Sequence, residues 1–165
     1  MRWIVVMVKS QQEESALRNL MESGFHCYLP QLTLRKGRKT KLIPMFRGYL
    51  FVQVDPEDMP VWRTIGSHRG VIKILMRTNS LPAFLPDMFV PLLIEQGVRE
   101  ENTELVVEYK KGARIKFTTG PLVGILGIVH WSNKQRVSLL VDLLGTDTIV
   151  QSTVHMIAPI GASYE

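Results

Sequence analysis

Five of the seven residues in Arg35-Lys36-Gly37-Arg38-Lys39-Thr40-Lys41 are cationic, and a mostly apolar stretch rich in aromatics follows, Phe46-Arg47-Gly48-Tyr49-Leu50-Phe51-Val52-Gln53-Val54-Asp55. Clustered Lys and Arg seek phosphate or an acidic protein surface, and aromatics supply large contact area at low entropy cost, so the chemistry on offer is docking. Catalytic chemistry has no comparable signal. The Ser, His and Asp residues are scattered without a nucleophile motif, and Gly120-Pro121 leads into a strand pattern, not into the helix that a phosphate-binding glycine loop requires. His130 and His155 have no cysteine, carboxylate or histidine at ligand spacing, so no metal and no cofactor is expected. Cys27 is the single cysteine, which excludes an internal disulfide and a cysteine-based zinc site; between Phe25 and Leu29 it reads as a small core residue.

Charge is placed unevenly. Residues 1–95 hold 13 Lys+Arg against 8 Asp+Glu, a net of +5, whereas residues 96–165 hold 7 against 7. The first half is therefore the part expected to meet an acidic polymer or an acidic protein patch. The hydrophobic fraction of 45% is that of a globular protein, no apolar run reaches membrane-spanning length, and the amino terminus lacks the pattern of a secretory signal, so a soluble, cytoplasmic monomer is expected.

The elements that must position these groups can be read from periodicity. Trp3 to Val8 is an apolar run suited to a buried strand, and Ser10 with Glu13 has the spacing of a capping box ahead of a helix carrying Ala16, Leu17, Leu20 and Met21 and stopped by Gly24. Phe25 to Leu29 reads as a second strand, and Gln31 to Met45 as a projecting hairpin with the basic run at its tip. The aromatic stretch is a strand. Asp55, as N-cap with Pro56 at the first helical position, should open a short helix through Trp62 and Ile65 that ends near Gly66. A strand over Val71 to Met76 and a helix over Asp87 to Gln96 complete a β-α-β-β-α-β-α order, an α+β domain in which helices cover an antiparallel sheet. Side chains alternate along a strand, so Tyr49 and Phe51 share one face of the sheet and Leu50 and Val52 the other; the pattern leaves open which face is outward. After a polar segment around Arg99 to Glu104, the runs Ala113–Phe117, Ile125–Trp131, Val137–Leu144 and Thr148–Val154 are separated by turn residues, which predicts a small β-barrel with Phe117 and Trp131 in its core. The expected division is a first domain over 1–97, a linker over 98–108 and a barrel over 109–162.

These motifs, in this order, resemble the NusG family of transcription elongation factors. The carriers are Trp3-Ile4-Val5-Val6 with its helix, Tyr28-Leu29-Pro30, Phe46-Arg47-Gly48-Tyr49-Leu50-Phe51-Val52, Arg69-Gly70-Val71 and, in the second half, Gly112, Gly120-Pro121-Leu122, Gly124 and Gly127-Ile128-Val129, which is similar to a KOW module. His26-Cys27-Tyr28-Leu29-Pro30 and Val52-Gln53-Val54-Asp55-Pro56-Glu57 are similar to the specialised RfaH-type paralogues. The resemblance implies an N-terminal domain of NusG type, a KOW (SH3-like) barrel and a non-enzymatic factor that suppresses pausing. Phe46, Tyr49 and Phe51 then match positions that pack on the clamp helices of RNA polymerase, and Trp62 lies in a region that meets the opposite side of the polymerase cleft, although it also reads as a core residue. Lys9, Arg18, His68 and Arg69 fall in the region that meets non-template DNA, and the hairpin cations Arg35, Lys36, Arg38, Lys39 and Lys41 would reach upstream DNA or acidic polymerase surface. Leu143 and Leu144 stand near the edge that binds a small-subunit ribosomal protein; Leu144-Gly145-Thr146 replaces the family's phenylalanine-glycine-arginine step, which puts Rho binding in doubt. Arg47 stands where proline is usual. The alternative is an RNA- or ribosome-binding KOW protein without polymerase activity modulation.

Overall fold

The computed structural model describes residues 1–77, 80–96, 109–119, 122–133, 136–143 and 145–160. The expected linker, 98–108, lies outside them. Contacts divide the chain into one unit of residues 1–30 with 46–95 and a second of 31–45 with 96–165. In chain order the elements are β1 (Arg2–Val8), α1 (Glu13–Glu22), β2 (His26–Tyr28), β3 (Gln31–Lys36), β4 (Lys39–Pro44), β5 (Tyr49–Val54), α2 (Met59–Thr64), β6 (Val71–Ile74), α3 (Phe89–Gln96), β7 (Arg114–Phe117), β8 (Leu126–Ser132), β9 (Arg136–Leu143), β10 (Thr146–Thr153) and β11 (Ile157–Pro159).

The first unit is built on an antiparallel sheet in the order β2-β5-β1-β6, with Ile4 opposite Val52 and Val5 opposite Phe51. Alternation assigns the faces. Ile4, Val6 and Val8 of β1 and Leu50, Val52 and Val54 of β5 pack with Ala16 and Leu20 of α1 and with Trp62 and Ile65. Trp3, Val5, Tyr49 and Phe51 point the other way and are also buried. Gly24, at φ +90°, closes α1 with bonds from its own N–H to Met21 O and from Phe25 N–H to Leu20 O, the two-bond stop that a left-handed glycine permits.

Two helix starts differ from expectation. Ser10 does not cap α1: the N-cap is Gln12, without a side-chain bond, and Gln11 sits at φ +67° in the preceding turn. Glu13, only 4% exposed, turns its Oε1 to the Gly48 N–H at 2.9 Å and not back along its own helix. A buried carboxylate needs a donor, and the turn ahead of β5 supplies one. Likewise Asp55 closes a local turn by accepting from the Glu57 N–H, and α2 begins after Asp58, whose Oδ1 accepts from the Val61 N–H; Pro60, not Pro56, lies in its first turn.

The second unit carries a five-stranded sheet in the order β10-β9-β8-β7-β11 and the separate hairpin β3-β4. Ile115, Phe117, Val129, Val137, Leu139, Val141 and Val150 are buried at alternate positions, as a small all-β domain requires. Trp131 is not among them: a bulge between Val129 and Trp131 breaks the alternation and leaves the indole 47% exposed. β11, a three-residue strand on β7, has no counterpart in the sequence pattern, being too short to show a period.

Candidate functional site

On the sheet face turned away from α1, three aromatic rings meet edge to face. Phe46 and Phe51 lie 5.3 Å apart at 80°, and Phe89 of α3 lies 5.8 Å from Phe51 and 6.5 Å from Phe46. Tyr28 Oη donates to Leu93 O at 3.3 Å, tying α3 to the edge strand β2; burial raises the phenol's pKa, so it keeps its proton. Phe46 and Phe51 are fully buried and Tyr49 is 8% exposed, so all three expected anchors are covered in this structure. Exposed apolar surface is found beside them, at Met88, Leu92 and Ile94. Phe89 and these exposed residues were missed by sequence reasoning, although Met88 and Leu92 are four residues apart at helical spacing; Ile94 lies on another side of α3.

A second group of side chains gathers where β1 ends. The Val8 N–H donates to Gly48 O at 2.8 Å and the Lys9 N–H to Gly70 O at 2.9 Å, so the turns bearing Arg47 and Arg69 flank Lys9. Both turns need glycine. Gly48 has φ +79°, and at Gly70 (φ +92°) a Cβ would come within 3.1 Å of Ala16 Cβ. Asn19 Nδ2 donates to Arg69 O at 3.0 Å and steadies the second turn. Lys9, Arg47 and Arg69 are exposed and have no acidic partner among the described residues. Arg47, the unusual residue of the aromatic stretch, is thus brought to the expected DNA-facing pair.

His68 and Arg18 are placed differently. His68 Nδ1 donates to Thr64 O at 2.9 Å and its ring stands edge-on to Phe25 at 5.6 Å, which makes it a pin for the turn. Arg18 lies four residues from both Glu14 and Glu22 on exposed positions of α1, so its charge is set between two carboxylates by helical spacing. Arg38, Lys39 and Lys41 are exposed on the β3-β4 hairpin, where Arg35 pairs with Thr40 and Lys36 with Lys39; the side chains of Arg35 and Lys36 are outside the description. Trp62 is buried at 2% exposure with Arg63 5.7 Å from its ring centroid. Leu143 is described only as backbone, and Leu144 lies outside the described residues; the adjoining turn is held by the Gly145 N–H donating to Asp142 Oδ1 at 2.7 Å. Among the described residues no three His, Cys, Asp or Glu are grouped to hold a metal, and no helix is long and apolar enough to cross a membrane.

The family model NusG, described as transcription termination factor nusG, matches residues 1–94, the span that contains the aromatic face and the basic group. The chain belongs to the NusG family of transcription factors. Among curated NusG-family relatives, the transcription termination/antitermination protein NusG of Thermus thermophilus is 25% identical over 171 residues, covering 90% of this chain and 93% of its own. The protein of the same description from Staphylococcus carnosus is 27% identical, covering 91% of each chain. A solved structure of Thermotoga maritima NusG aligns over 96% of this chain and 97% of its own with TM-score 0.58 at 20% identity, a likeness of fold.

Proposed function

We propose that this NusG-family protein is a transcription elongation and antitermination factor of the RfaH type, whose first unit binds the clamp helices of RNA polymerase and suppresses pausing. The observation that carries the reading is the Phe46-Phe51-Phe89 cluster bordered by exposed Met88, Leu92 and Ile94, a dense aromatic centre with an apolar rim still open to solvent. Because the centre is covered, binding requires the face to be uncovered, and Tyr49 and Phe51 join the interface at that step. Lys9, Arg47 and Arg69 then supply contacts to exposed non-template DNA: phosphate for the lysine, base stacking or pairing for the arginines. The hairpin cations extend the charge toward upstream DNA or acidic polymerase surface. Pausing requires the clamp or the hybrid to rearrange, so a ligand that prefers the closed clamp shifts the population away from paused forms.

The second unit recruits a further partner, most simply a small-subunit ribosomal protein of the leading ribosome, with Leu143 and Leu144 as the candidate contact residues. Exposed Leu126, Ile128 and Trp131 support an interaction role for this unit. Such a factor works in the cytoplasm, nucleoid-associated through the polymerase. The test is a pull-down with core RNA polymerase using Leu92→Glu with Ile94→Glu, both at exposed positions. Affinity falls at least about tenfold, the loss of roughly 1.4 kcal/mol, with the circular dichroism spectrum unchanged. Unaltered affinity overturns the site. A second reading, RNA binding by the barrel alone, is favoured by exposed Trp131 and the cations Arg114 and Lys116 on the same β7-β8 pair; tight binding to naked RNA without polymerase affinity would establish it.

A further inference from the structure

A cavity of about 320 Å³ opens between the α1-β2 turn, the end of β5 and α2. Phe25, Val54, Val61 and Trp62 form apolar wall, and Asp55 and Asp58 bring two carboxylates. Each carboxylate spends only one oxygen on the fold: Asp55 Oδ1 accepts from the Glu57 N–H and Asp58 Oδ1 from the Val61 N–H, while the second oxygens have no partner among the described residues. Among the described residues no lysine or arginine lines the cavity, and His26 and Met1 stand with the two aspartates in its lining. The Trp62 indole adds a second, independent sign. Its Nε1–H is buried and has no hydrogen-bond partner among the described residues, a state that native proteins seldom leave uncompensated.

We propose that this cavity is a docking pocket for an arginine-bearing segment of a partner protein. An arginine's methylene stem suits the apolar wall, and its planar fork of donors matches two carboxylates better than the point charge of a lysine does. Trp62 lines the cavity, so its indole signal reports occupancy. Nucleic acid is disfavoured because its phosphates would face both aspartates. The pocket shares no residue with the Phe46-Phe51-Phe89 face, so its occupancy and polymerase binding through that face are separable.

The test uses the full chain labelled with ¹⁵N, which has three tryptophan indole N–H signals; that of Trp62 is identified as the one lost in Trp62→Phe. The probe is N-acetyl-arginyl-leucinamide. Titration moves the Trp62 signal saturably, and Asp55→Asn with Asp58→Asn weakens the apparent affinity at least about fivefold, because asparagine keeps the turn acceptor but removes the charge. Val61→Lys, at an exposed position of the cavity wall, weakens it as well and serves if the double variant does not fold. A Trp62 signal that stays fixed up to the solubility limit of the probe overturns the proposal. So does equal binding of the norleucine analogue, or movement of the same signal by tetrathymidylate instead of the arginine probe.

Discussion

Replacing Glu13 by alanine leaves the half-buried Gly48 N–H without its acceptor. The bond is 2.9 Å long, its acceptor is a carboxylate oxygen, and Glu13 is 4% exposed. A hydrogen bond to a charged group contributes about 1.5–3 kcal/mol, and an acid in the first turn of a helix about 0.3–1 kcal/mol more. Glu13→Ala should therefore destabilise the Gly48 turn by about 2–4 kcal/mol. Glu13→Gln keeps an oxygen acceptor and loses the charge, for a cost near 1 kcal/mol. Bulk unfolding is a poor assay, since a chain of two units does not melt in one step. Hydrogen exchange at the Gly48 amide reads the opening directly. At 1.4 kcal/mol per decade, the alanine variant accelerates it some tens to hundreds of times and the glutamine variant about fivefold. Exchange at the original rate in Glu13→Ala would show that the carboxylate does not hold the turn, and with it that Arg47 is not fixed beside Lys9 in this way.

Three other outcomes follow from the same geometry. Phe51→Ala removes a ring packed between Phe46 and Phe89 and should destabilise the first unit by about 3–5 kcal/mol, so loss of polymerase binding by that variant must be read against amide exchange in β1 and β5. Burial pushes the Cys27 thiol up to about 12 from its ordinary 9.0, so the native protein keeps a proton that the unfolded chain releases. Its contribution is intact below pH 9 and is lost as pH rises toward 12; stability measured from pH 8 to 11 should fall more steeply than in Cys27→Ala, and parallel curves would refute it. Arg69→Ala should weaken crosslinking to non-template DNA with polymerase attachment intact, whereas His68→Ala should loosen the turn after α2, seen as faster exchange of its amides; equal loss of crosslinking and attachment in Arg69→Ala would deny Arg69 a separate role.

Strong local signals in the sequence survived the fold. The apolar run of β1, the glycine stop of α1 and the alternation through Leu50, Phe51 and Val52 each express one rule within a few residues, and the structure obeys them. What was illegible depended on partners distant in the chain. Ser10 and Glu13 have the spacing of a cap, but Gly48, thirty-five residues away, takes the carboxylate instead. Asp55 and Asp58 are equivalent as N-caps until the chain path selects the second. Trp131 reads as core because its neighbours alternate, and one bulge reverses it. Of the candidate sites, the shared face of Tyr49 and Phe51 was readable from the strand, but the contacts of Phe46, which precedes β5 across the Gly48 turn, and of Phe89, which arrives from a helix, were not. Arg47 looked like an isolated departure; only the two glycine turns at the end of β1 show that it stands with Lys9 and Arg69.

The direct test of polymerase docking is to titrate a fragment carrying the RNA polymerase clamp helices into the ¹⁵N-labelled full chain and follow its amides. Amides of β5 from Tyr49 to Phe51 and of α3 from Phe89 to Ile94 should move saturably and together, with the β8 and β9 amides nearly still. Shifts confined to the barrel strands, or none at saturating fragment, would contradict the assignment of the aromatic face as the polymerase-binding surface.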